Sequence, residues 1–315
     1  PAQNPDGRLG EKYRIAFQAA ADEFEREIVR NPQNAAAHAG AAEMYATLWC
    51  FGYSPRNDTV PKARRLAERA VALDEASAAA RTALGVVGLC DWDWKGAESE
   101  FSRAIELDPQ NAKAHHWNAL FLAAMGRHEQ AFTETNLACK ADPDSLGFQT
   151  GKGAVLYFGR DFNAMRTHMT AISRRDPAFP WAYDWLGMAY VQLENFPKAI
   201  EVYQKAVQLS DNTAEVLAGL GHAYGQSGER TAAQAILERL ERHARSEHVP
   251  PVQRAYVCIG LGRIDRAFEL LEEGFEERAW ELVFLREEPW FDPIRNDERF
   301  SRIVQRMKLP EAAEK

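Results

Sequence analysis

Three Asp-Pro pairs, Asp108-Pro109, Asp142-Pro143 and Asp176-Pro177, are spaced 34 residues apart twice in succession. A column of small residues keeps the same period at Ala97, Ala131, Ala199, Ala233 and Ala267, and Met165 is its one interruption. Self-similarity at this period marks stacked helix–turn–helix units, each too small to bury its own apolar face and so dependent on its neighbours. The chain is therefore expected to be all-α, an α-solenoid. A compact fold of 315 residues would be expected to divide, whereas a solenoid grows by addition. A single domain over residues 1–315 is expected, with roughly seven to eight repeats over residues 10–278 and a cap over roughly 279–310.

The first unit closes at Asn31-Pro32, and its second helix is the amphipathic run from Tyr13 to Arg30, with Ala20 and Phe24 in the small and large core columns. Its first helix is short or missing. Unit two pairs an Ala-rich helix from Gln33 through Trp49 with one from Pro61 to Asp74. Pro32 and its equivalent Glu75 are 43 residues apart, which places an insertion of nine residues in the turn Phe51 to Val60. There Gly52-Tyr53-Ser54-Pro55 reads as loop. Units three, four, six and seven keep the pattern, whereas unit five sets Met165, Met169 and Ile172 where the repeat wants small or aromatic residues. Unit eight runs from Val252 to Leu261 and from Ile264 to Arg278. Beyond it come Pro289-Trp290-Phe291-Asp292-Pro293 and a helix near Asp297 to Met307. Trp290, Phe291, Ile294 and Phe300 are apolar enough to close the last repeat.

Composition excludes other classes. With 46% hydrophobic and 27% charged residues the chain is neither disordered nor fibrous, and no apolar run approaches the length of a membrane span. The net charge of -8 and the scattering of Lys and Arg argue against a nucleic-acid ligand. Cys50, Cys90, Cys139 and Cys258 are far apart and form no C-x-x-C pair. They read as free thiols and favour a reducing, cytoplasmic compartment. The sequence opens at Pro1 with a unit already under way by Ala20, which reads as a piece of a longer polypeptide.

Each catalytic near-miss has a structural explanation. Gly219-Leu-Gly221 and Gly260-Leu-Gly262 follow no strand and stand where helices pack closely, so they are not a phosphate cradle. His115 and His116 are adjacent, about 100° apart on a helix, and give no metal site. Glu272-Glu273, Glu276-Glu277 and Glu287-Glu288 suit a solvated helix face better than acid–base work. No enzyme, cofactor or metal is expected.

The columns of small residues, aromatics and prolines resemble tetratricopeptide repeats from roughly Ala20 to Arg278. Asp91-Trp92-Asp93-Trp94 and Phe291-Asp292-Pro293-Ile294-Arg295 are further similar to the C-terminal repeat regions of bacterial multidomain signalling proteins: winged-helix regulators, Ser/Thr kinases and nucleotide cyclases. The resemblance implies a right-handed superhelix closed by a C-terminal capping helix, in which the first helices of successive units line a concave groove. Its inward-facing places fall here on Leu89, His116, Trp117, Leu120, Tyr157, Phe158, Trp181, Asp184, Trp185, Met188, His222 and Tyr256. Only Lys113 is basic at such places, so a clamp on a terminal carboxylate is not expected.

That aromatic surface suggests a non-enzymatic scaffold that holds a partner peptide or domain, Trp and Tyr being the usual interface anchors. The alternative is a sensory or regulatory segment that controls an attached DNA-binding, kinase or cyclase domain through ligand binding or self-association.

Overall fold

The Asp-Pro pairs owe their spacing to a stop signal and a start signal set side by side. In the computed structural model, which describes residues 8–310, Asp108, Asp142 and Asp176 each end a second helix in extended backbone, as a residue before proline must. Each carboxylate then accepts the N–H two residues on, from Gln110, Asp144 and Ala178 at 3.0–3.2 Å, which fixes the turn. Asn111 then caps the next helix by accepting from Ala114 N, as Asn34 and Ser77 do for theirs.

Among the described residues the fold is an α-solenoid of sixteen α-helices. Helix α1 (Glu11–Arg30) stands alone. Seven pairs follow: α2 (Ala35–Cys50) with α3 (Arg56–Leu73), α4 (Ala78–Cys90) with α5 (Trp94–Leu107), α6 (Ala112–Ala124) with α7 (His128–Ala141), α8 (Leu146–Phe158) with α9 (Phe162–Arg175), α10 (Pro180–Gln192) with α11 (Phe196–Leu209), α12 (Ala214–Ser227) with α13 (Arg230–His243) and α14 (Pro251–Gly260) with α15 (Ile264–Glu276). Two 3₁₀ turns, Trp280–Phe284 and Pro289–Ile294, then lead to α16 (Glu298–Met307). The chain groups into two compact units, residues 12–155 and residues 156–308, the described residues up to Glu11 counting with the latter.

In the first unit the second half of the expected loop at Phe51–Val60 is helix. Its residues from Arg56 onward extend α3 backward, so Pro61 lies inside that helix rather than at its start. Pro61 is the sixth residue of the helix, past the end that leaves donors unpaired, so it costs the hydrogen bond to the Asn57 carbonyl. What remains of the loop packs against α1: Phe51 stacks on Phe17 at 5.9 Å, and Tyr53 meets Tyr13 and Phe17 at 6.3 and 6.0 Å. Asp91, at the α4–α5 turn, binds the guanidinium groups of both Arg56 and Arg64 and so ties the extended helix to the next repeat. The neighbouring Trp92 takes a left-handed φ of 58° so that Asp93 can cap α5.

The alanine column is fully buried at Ala63, Ala97, Ala131, Ala199, Ala233 and Ala267, and Met165 is equally buried in its place. In the second unit the close packing read from the Gly-Leu-Gly sequences is plain. A Cβ on Gly225 would stand 2.4 Å from the Gly260 carbonyl carbon, so α12 and α14 touch backbone to backbone. Phe300, Ile303 and Met307 of α16 are buried, while Arg299 and Arg306 lie over the rings of Phe268 and Phe275 at 4.1 and 3.9 Å. Helix α16 thereby covers α15 as the expected cap. Cys50, Cys90, Cys139 and Cys258 are all free thiols, and all but Cys139 are buried.

Gly225→Ala gains up to about 1 kcal/mol of helix propensity, but its methyl meets rigid backbone rather than a side chain that can turn aside. We expect a net loss of about 1–3 kcal/mol in urea denaturation; an unchanged midpoint would contradict the α12–α14 contact.

Candidate functional site

The twelve candidate residues all lie on first helices, where the register puts them, but they differ in what covers them. In the unit of residues 12–155, Leu89 is wholly buried in the core, whereas His116, Trp117 and Leu120 of α6 are half-buried. The His116 ring packs between Trp117 and Phe148 at 5.5 and 5.3 Å. Desolvation, with Lys113 adding to it, lowers its pKa to about 4 and keeps it neutral. Its neighbour His115 points the other way, with Nδ1 2.6 Å from Glu134 Oε2 and Nε2 3.0 Å from the Pro109 carbonyl, as a structural brace.

In the unit of residues 156–308, Trp181, Trp185 and Met188 of α10 are half-buried, whereas Tyr157, Phe158, Asp184, His222 and Tyr256 are buried. The chain's own segment Trp280–Ile294 covers this face. Phe284 stacks on Phe158, with ring centres 4.3 Å apart and planes 5° from parallel. Trp290 stacks on His222 at 4.5 Å and meets Tyr256 edge-on at 4.8 Å. Phe291 is buried against Tyr256 and Phe300. Arg160, in a left-handed turn after α8, holds Asp292 through two hydrogen bonds of 2.7 and 2.8 Å. Trp290 and Phe291 were expected to close the last repeat; both pack on Tyr256 of its first helix, α14, and Trp290 reaches further, onto His222 of α12, because the 3₁₀ turns carry the chain back across the first helices.

The polar groups beneath the segment explain how it is held. Glu288, 4% exposed, accepts the Tyr157 hydroxyl at 2.5 Å and the Trp290 N–H at 3.0 Å. A carboxyl so deeply covered resists ionising: burial pushes Glu288 up to about 7 against the pull of these hydrogen bonds and of Arg295. Burial likewise raises Glu281, which is only partly covered, to about 7, although Gln253 hydrogen-bonds to it. Asp184, on α10, is raised by burial, and its Oδ2 has no hydrogen-bond partner among the described residues. Glu215, on α12, is raised by burial first, then by the charges of Asp184 and Glu281. These carboxyls form no metal-ligand set among the described residues. His222 is depressed to about 4 by desolvation, and the 2.8 Å approach of Nδ1 to the Tyr256 carbonyl places the single ring proton on Nδ1.

Glu288, read from the sequence as part of a solvated helix face, is instead buried outside any helix, and Phe284 was not among the candidates, since both lie beyond the last repeat, where no register assigns a face. The Pro-flanked aromatic run from Pro289 to Pro293 was the available signal. It marked an anchor but not the surface the anchor meets.

Comparison with known proteins supports the repeat reading. A tetratricopeptide-repeat family model matches residues 187–228. The chain is 25% identical over 202 residues to human tetratricopeptide repeat protein 6, an alignment that covers 64% of this chain and 37% of that protein. Among solved structures it is similar to the Cut9–Hcn1 hetero-tetramer of the APC/C, with a TM-score of 0.62, 18% identity and coverage of 92% of this chain and 52% of that one. It also resembles a tetratricopeptide repeat protein from Parabacteroides merdae, with a TM-score of 0.55, 13% identity and coverage of 80% and 93%. At such identities the structural likeness speaks for the fold alone. No described helix is long and apolar enough to cross a membrane.

The pH dependence of the covered face follows from its groups. Glu288 is raised on docking, so its contribution is full below its ordinary 4.5 and is lost as pH rises through about 7, a change on the order of 3 kcal/mol. Glu281 acts in the same direction, less strongly because water reaches it. His222, held neutral, opposes them, its contribution being lost as pH falls from its ordinary 6.5 toward 4. Of the other facing groups, Asp184, Glu215 and Glu277 add to the carboxyl side, while Arg160, raised by its hydrogen bonds to Asp292, stays charged. Hydrogen exchange in residues 280–294, corrected for intrinsic rates, should become more protected from pH 8 to pH 5.5, and Glu288→Gln should flatten the trend. Protection that increases with pH would contradict the assignment.

Proposed function

We propose that the chain is a non-enzymatic interaction module that holds a partner peptide or domain on its aromatic first-helix faces. Tetratricopeptide-repeat proteins generally mediate protein–protein interactions. The observation that carries the reading is the seated segment: a face built from α8, α12 and α14 takes up an irregular stretch of chain by ring stacking and one buried hydrogen bond. Trp181, Trp185 and Met188 of α10, and Trp117 and Leu120 of α6, retain exposed surface that a partner would bury. The free thiols suit a reducing, cytoplasmic setting.

A second reading has the same observation in its favour. A segment that covers its own binding face is the kind of element through which a regulatory region senses a ligand, another copy of itself, or an attached DNA-binding, kinase or cyclase domain.

Peptides selected from a display library against the full chain should lose about ten-fold or more of their affinity for the Trp181→Ala, Trp185→Ala double variant, with helical circular dichroism unchanged. Retained affinity would refute a site on α10.

A further inference from the structure

We propose that the face beneath Trp280–Ile294 is a recognition site for an aromatic–basic peptide, and that the chain's own segment is a weaker stand-in carrying Glu281 where such a partner carries lysine or arginine. The proposal rests on the interaction-module reading and specifies the chemistry of one partner.

The stand-in supplies half of what the face asks for. Phe284 and Trp290 satisfy the ring positions, being stacked on Phe158 and His222 at 4.3 and 4.5 Å. Around Glu281 the match fails. Glu281 lies within electrostatic reach of Glu215 on α12, which is itself within reach of Asp184 on α10. Asp184 is 2% exposed with Oδ2 unpartnered, and Gln253 of α14 is 4% exposed with Oε1 unpartnered. The Gln253 amide donates to Glu281, but Gln253 Oε1 and Asp184 Oδ2 still lack donors, and the docked segment brings them a carboxyl that can donate only while protonated.

Like charges at close range disfavour burial, and an unpaired buried acceptor forfeits the hydrogen bonds it would make with water. A lysine or arginine at the Glu281 place would turn the like-charge contact into an ion pair and bring donors to the unpartnered oxygens. A partner with the same two rings and that one cation would thus displace the chain's own segment by charge complementarity.

The test applies one substitution both to the chain and to a free peptide. Labelled peptides of residues 280–296, one native and one carrying Glu281→Lys, are titrated into the full chain at pH 8. A third peptide keeps Glu281→Lys but has Phe284→Ala and Trp290→Ala. The lysine peptide should bind about ten-fold or more tightly than the native one, and the third peptide, of equal charge but without the two stacking rings, should lose that gain. In the full chain Glu281→Lys should have the opposite effect, strengthening the cis segment and weakening uptake of both ring-bearing peptides. Equal affinity of the native and lysine peptides, an undiminished gain in the third peptide, or no uptake of any peptide by the wild-type chain would overturn the proposal. The wild-type arm stands even if the substituted chain folds poorly. A chain that binds selected peptides through Trp181 and Trp185 yet ignores the lysine peptide would sink this inference while leaving the module reading intact.

Discussion

The structure depends on an aromatic ring set into the space that a glycine leaves on the facing helix. Tyr203 of α11 is the clearest case: a Cβ on Gly187 of α10 or on Gly219 of α12 would fall 2.5 or 2.4 Å from its ring. One side chain thus bridges the first helix of its own repeat and that of the next. Because the contact joins successive repeats, it fixes both the packing within a unit and the step to its neighbour. Within the unit of residues 156–308 the first helices α10 and α12 are thereby held side by side, and the residues facing away from that ring are left to form a surface.

This dependence explains what could be read from the sequence. The position of that contact recurs every 34 residues, filled by the rings of Phe101 and Tyr203 and elsewhere by Met169 or Leu237, and leaves a column in the sequence, so the helix pairs, the nine-residue insertion, the end of periodicity and the first-helix positions of Tyr157, His222 and Tyr256 were all visible. The fate of the insertion was not. Arg56–Val60 became helix because Asp91 in the next repeat draws Arg56 and Arg64 together, a contact between residues 35 and 27 positions apart that no local pattern signals. The covering of the groove was illegible for a related reason. The register assigns a residue to a face, but what lies on that face is settled by a stretch that does not repeat.

The covered face combines two kinds of interaction with opposite tendencies. Ring stacking and apolar burial hold Phe284, Trp290 and Phe291 in place with little dependence on pH. The carboxyls brought in with them resist burial, since each must remain protonated or forgo hydration. Glu288 is accommodated because Tyr157 and the Trp290 amide both donate to it. Asp184 and Glu215 have no comparable donors in the hydrogen bonds described around them. An evenly apolar cap would have closed the last repeat without this tension, and α16 does so with Phe300, Ile303 and Met307.

Chain topology separates the segment from the rest of the unit. Most stabilising contacts join helices adjacent in sequence, so their closure costs are small and each repeat supports the next. The Tyr157–Glu288 hydrogen bond closes a span of 131 residues and Arg160–Asp292 one of 132. Both can form only after the intervening repeats have stacked, and both can open without unstacking them. The segment docks as a buried element, with Leu282, Val283, Leu285 and Phe291 at 0–1% exposure, on a scaffold completed by local contacts. Its release exposes a preformed face instead of a collapsed core. Permanent caps gain nothing from that arrangement, whereas a face that exchanges one occupant for another, as proposed for this one, requires it.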